Sequence, residues 1–217
     1  GDSAQNAVGD TAAGNIWDNF DTRVTGAATL SESQAGNNIM HYTLPSLVDD
    51  LTVAVSYTPA GANDESSSAF GLTYAGVEGL SVSYGQGSAD GDAAGSGGTA
   101  ANSDTTSLKA SYAIGSFTLA YSDHDHDSNT DTSDQTASSW KVSYTVSDAV
   151  SVTYGTESLD SAATADTSDA EYTKITASHT SGGMTVSANY QEATEMSYTT
   201  AVNEDEEYYG LSLSFAF

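Results

Sequence analysis

The sequence predicts an all-β protein, an antiparallel up-and-down array of eleven strands. Three observations predict it. One pattern, apolar and small polar residues in alternation closing on Tyr, recurs as VAVSY (53–57), LTY (72–74), LSVSY (80–84), LKASY (108–112), FTLAY (117–121), WKVSY (140–144), VSVTY (150–154) and MTVSANY (184–190). A period of two places successive side chains on opposite faces of a strand. The connections between these segments alternate in length, short then long, without a break. Helical periodicity is scarce, and no run of about eighteen apolar residues exists from which a membrane-spanning helix could form.

In chain order, strands are expected at 38–45, 51–59, 68–76, 80–87, 105–114, 117–123, 138–146, 150–157, 170–180, 184–192 and 206–217. The first carries Tyr42, and the second to eighth each carry one copy of the repeat. The ninth alternates around Lys174 and Ile175, and the tenth holds MTVSANY. The last, YYGLSLSFAF, sets Tyr209, Leu211, Leu213, Phe215 and Phe217 against Gly210, Ser212, Ser214 and Ala216.

Short connections fall at 46–50, 76–79, 115–116, 147–149 and 181–183, and long polar ones at 60–67, 88–104, 124–137, 158–169 and 193–205. A meander with every long loop at one end has the anatomy of a transmembrane β-barrel. A soluble sandwich also alternates, but its Greek-key connections rarely sort loop lengths by end. Tyrosines sort by direction too. Tyr42, Tyr74, Tyr112 and Tyr144 fall toward the short-turn end, and Tyr57, Tyr84, Tyr121, Tyr154 and Tyr190 toward the loop end, as two interfacial girdles around an apolar band would.

Formal net charge is −26, against four cations, Arg23, Lys109, Lys141 and Lys174. That excess repels nucleic acid and excludes it as a partner. The regular tyrosines argue against the disorder that acidity alone would suggest. With no cysteine there is no disulfide, zinc–thiolate or thiol chemistry. His41, His124, His126 and His179 form no nucleophile or triad spacing, so no enzyme is expected.

The ending YYGLSLSFAF resembles the last strand of the general bacterial porins, the trimeric channels of the Gram-negative outer membrane. IMHYTLPSLVDDLTVAVSYTPAG (39–61) resembles their strand–turn–strand segment, and GDTAAGNIWDNFDTRVTGAATL (9–30) their inward constriction loop. The resemblance implies a homotrimer in the lipid bilayer, a periplasmic C-terminus, and Phe217 as the residue read by the assembly machinery. It implies a sixteen-stranded barrel in which the constriction loop follows the fifth strand. The chain would then be the C-terminal portion, with 1–37 as the constriction-loop-like segment and 38–217 as barrel strands. The first five strands would lie on the same or a second polypeptide. The alternative count adds a strand at 19–28 and closes twelve strands on themselves.

Within that frame the expected function is a water-filled pore for passive diffusion of small hydrophilic solutes and ions, with net charge favouring cations. A substrate-specific channel and a plugged-barrel surface or adhesion protein are the alternatives. Parity turns Lys109, Lys141 and Lys174 inward, and the resemblance sets Asp10, Asp18 and Asp21 on the loop opposite them, a transverse field. The lysines could equally pair with neighbouring acids. Arg23 either clamps the loop through a carboxylate pair or faces solvent. In DHDHDSNTDTSD, Asp123, Asp125, Asp127, Asp131 and Asp134 match positions 1, 3, 5, 9 and 12 of a calcium loop, but Ser128 stands where Gly belongs. A solvated loop and an irregular calcium site are the two readings; no other cofactor is expected. The neighbouring His124 and His126 could hold a transition metal.

Overall fold

The computed structural model describes residues 3–20, 38–46, 48–60, 66–90, 102–129, 133–163, 167–198 and 205–216. Among them are eleven strands: β1 (Met40–Thr43), β2 (Leu51–Thr58), β3 (Ser67–Val77), β4 (Leu80–Ala89), β5 (Ser103–Ile114), β6 (Phe117–Ser128), β7 (Gln135–Ser147), β8 (Val150–Ser161), β9 (Ala170–Ser181), β10 (Met184–Thr194) and β11 (Glu206–Phe215). They form one sheet in sequential order, and every neighbouring pair is antiparallel, as the alternation predicts. Among the described residues β1 and β11 are each paired on one side only. The twelfth-strand alternative falls mostly outside the described residues, although Asn19 closes a 3-10 turn.

Strands that the sequence ends early run on. β6 reaches Ser128, β7 begins at Gln135 and β8 reaches Ser161, well into the expected loops at 124–137 and 158–169. The outer face of β6 shows why. Phe117, Leu119 and Tyr121 are exposed and apolar, and then Asp123, Asp125 and Asp127 take the same parity, still exposed and still paired. Beyond the apolar band both faces are polar, so alternation fades while the backbone ladder continues. The same switch occurs from Tyr190 to Glu192 on β10 and from Tyr209 to Glu207 on β11.

The nine girdle tyrosines share the outer face. Tyr42, Tyr57, Tyr112, Tyr121, Tyr144 and Tyr154 are exposed, and Tyr74, Tyr84 and Tyr190 half-buried. Along each hairpin the loop-end tyrosine stands two residues loopward of its turn-end neighbour, since Tyr121 pairs with Ala110, two before Tyr112, and Tyr154 with Val142, two before Tyr144. Tyr112, Leu119, Val142, Tyr154, Ile175, Tyr190 and Tyr209 stand in one register row across seven strands. β6 and β8 continue seven residues past Tyr121 and Tyr154, to Ser128 and Ser161, which puts the loop-end tyrosines near mid-strand. They mark the upper edge of the apolar run, not the end of the wall. Tyr121 Oη donates to Asp123 at 3.1 Å, and Tyr190 and Tyr209 donate to Glu207 at 3.1 and 2.9 Å, joining that edge to the acidic rows above it.

The opposite, inner face is small and polar, and residues 3–20 lie along it. Two 3-10 turns, Ala4–Ala7 and Ile16–Asn19, bracket that segment. The main cluster of buried apolar residues sits where the second turn meets β7–β10.

Candidate pore-lining site

Residues 3–20 need partners for their backbone donors, because a buried unpaired N–H is costly. Serines of the inner face supply them. The Ala4 N–H donates to Ser56 Oγ at 2.9 Å, Ala12 to Ser122 Oγ at 2.8 Å and Ala13 to Ser139 Oγ at 2.9 Å. Close approach requires glycine beneath the segment. Gly71 and Gly85 are paired on β3 and β4, and a Cβ on either would strike the backbone carbonyl of Ala4 or Gln5. At Gly155 an added Cβ would lie 2.9 Å from Ala13 Cβ. The inner wall is therefore not simply empty space for water, as its small residues suggest. Much of it is a seat for this segment.

Glu157 fastens the other half. It is 1% exposed. Its carboxylate accepts from Thr11 Oγ1, and from the Trp17 backbone N–H at 3.1 Å. Charge-assisted bonds of this kind are the stronger class. Beside it, Ile16, Trp17 and Phe20 bury themselves against Leu159, Tyr172 and Met196. The Phe20 and Tyr172 rings lie 5.8 Å apart. Asn19 Nδ2 donates to Gln191 Oε1 at 3.0 Å and ties the end of the turn to β10.

The predicted lysines do share the inner face at similar register. Lys141 and Lys174 flank Gly155 in one row, and Lys109 lies in the next, paired with Ser122. The transverse arrangement needs correcting. The segment carrying Asp10 and Asp18 crosses the lysine wall itself, and Lys109 Nζ donates to the Asp10 backbone carbonyl at 2.7 Å. Acids and bases are interleaved on one wall because Gly155 and the serines draw the segment onto it. The Asp10 and Asp18 carboxylates are exposed. Asp21, Arg23, Asp131 and Phe217 lie outside the described residues.

The calcium-loop reading also needs correcting. Asp123, Asp125 and Asp127 occupy extended strand on one outer face, roughly 7 Å apart in sequence steps of two. They cannot converge on one ion. Asp134 instead accepts the Ser128 backbone N–H at 2.8 Å. His124 and His126 turn inward, where their Nδ1 atoms bond Ser107 Oγ at 2.7 Å and Thr105 Oγ1 at 3.0 Å. No group of three or more His, Cys, Asp or Glu able to hold a metal exists among the described residues.

Sequence reasoning missed Glu157, Gln5, Thr11 and the serine seat. The available sign was Glu157 itself, an acid at inward parity in VSVTYGTESL, two residues after an inward glycine.

An eleven-stranded antiparallel meander with an apolar outer face, and a chain segment pinned across its polar inner face, defines the class: an outer-membrane β-barrel wall with an inward loop. The Gram-negative porin family model matches residues 1–180, and the chain belongs to that family. Among solved structures, a loop L8 deletion mutant of OmpT, an outer membrane protein of Vibrio cholerae, is similar at 16% identity and TM-score 0.57, over 88% of this chain and 70% of that one. OmpT of Vibrio cholerae folded in vitro, in its trimer form, is similar at 15% identity and TM-score 0.55, over 88% and 72%. No curated protein matches the sequence.

Proposed function

We propose that the chain forms the wall of a water-filled pore that passes small hydrophilic solutes and ions by diffusion, with residues 3–20 narrowing it. The observation that carries this reading is the pinned segment on a hydroxyl-rich inner face, in a sheet whose other face is apolar. The outer edges of β1 and β11, unpaired among the described residues, call for further strands, since open edges in lipid leave backbone groups unsatisfied. The sixteen-strand count implied by the porin resemblance makes those strands five. A homotrimer and a periplasmic C-terminus complete the proposal. The net charge of −26 supports cation preference. Catalysis forms no part of it.

Planar bilayers test it directly. Stepwise conductance is expected, with reversal potentials under a salt gradient on the cation side. An anion-side potential removes the selectivity, and an absence of steps removes the pore in favour of a plugged surface protein.

A further inference from the structure

Between residues 3–5 and β2–β6 lies a cavity of about 50 Å³. Its lining carries hydroxyl, amide and imidazole groups, from Gln5, Ser56, Ser67, Ser103, Thr105 and His126, beside Ile39, Ala69 and Ala89. Among the described residues neither a carboxylate nor a lysine borders it. Gln5 is 3% exposed. Its Nε2 donates to Ser107 Oγ at 3.5 Å, while its Oε1 is buried with no hydrogen-bond partner among the described residues. Oε1 lies against Gly87, where an added Cβ would come within 2.5 Å, so glycine makes room for the amide there. On the same lining, Thr105 Oγ1 holds His126 Nδ1 at 3.0 Å and fixes the ring.

We propose that this cavity is a binding subsite for the hydroxyl end of a small neutral polyol, lying beside the path through the pore; the placement rests on the pore reading above. An acceptor buried without a partner is destabilising until a donor reaches it, and an alcohol O–H is such a donor. Among the described residues the lining carries no carboxylate or lysine to favour an ion over a neutral hydroxyl. The volume accommodates a few waters at about 10–15 Å³ each, which fits a hydroxymethyl terminus rather than a whole sugar ring.

Saturation-transfer NMR of the full chain in detergent micelles, with erythritol as the probe, tests the subsite apart from conduction. Saturable binding is expected. Gln5→Met should weaken it about tenfold, the loss of one buried hydrogen bond. Ala69→Leu fills the cavity from β3, and should abolish binding while the heat-modifiable gel migration of the folded sheet persists. Undetectable binding to the wild-type chain, or binding unchanged by Ala69→Leu, overturns the subsite. Erythritol-free conductance reads the pore separately: conduction without binding sinks the subsite alone, and binding without conduction supports the subsite and counts against the pore.

Discussion

Residues 3–20 are held in two different ways at their two ends. Over β2–β4 the backbone rests on glycine, with Gly71 and Gly85 beneath Ala4 and Gln5, and a polar cavity stays open alongside. Over β7–β10 side chains interlock, with Ile16 and Phe20 wholly buried against Leu159, Tyr172 and Met196 around the Glu157 clamp. The first contact is a matter of shape and single hydrogen bonds. The second is a miniature hydrophobic core inside a wall that otherwise buries little. The difference teaches that a segment laid along a barrel wall can be fixed at one end and merely fitted at the other.

Removing the interlock should have the largest effect. Phe20→Ala deletes a fully buried ring and should cost about 3–5 kcal/mol of docking. Hydrogen exchange in micelles is expected to rise at residues 12–20 and to stay slow at 4–7. Equal acceleration at both ends would show that the segment is held as one unit and erase the contrast. Glu157→Gln should come next, at about 1.5–3 kcal/mol, since the amide keeps the shape but has one oxygen to offer where Thr11 and Trp17 use two, and its NH2 group cannot accept. Single-channel recordings should then show added open-state noise from a loosened segment.

Gly85→Ala probes the fitted end. A methyl there meets the Gln5 carbonyl, and overpacking of that kind costs about 1–3 kcal/mol. Exchange should rise at 4–7 alone. A variant with unaltered exchange would mean that the glycine row is not what seats the first turn.

The strands were legible because lipid on one side and polar ground on the other impose a period of two, and all eleven expected strands occur. Their loop-side ends were not. Past Tyr121 the outer face becomes Asp123, Asp125 and Asp127, so strand continues where composition reads as loop. The lysines' inward parity was legible from Tyr112 and Tyr144. The seat was not, because glycine and serine at inward parity read equally as room for water and as room for backbone. Only the three-dimensional approach of Ala4, Gln5 and Ala13 separates those meanings.

The smallest expected effect lies at the rim, beyond the apolar band, where Asp169 precedes β9. Burial first, and then the neighbouring Asp160, holds its carboxyl above the ordinary aspartate value, while Ser158 Oγ approaches it at 3.4 Å. The folded state thus binds this proton more tightly than the unfolded chain does. Its stabilising contribution is full below the unfolded pKa and is lost as pH rises through the higher folded value. The group is largely exposed, so solvent screens most of the effect. Asp169→Asn should flatten a shallow decline in rim protection above that range. Exchange rates at residues 167–170 from acid to neutral pH would measure it. A wild-type rim that tightens as pH rises would reverse the sign and show that Asp160 and Asp169 do not oppose one another there.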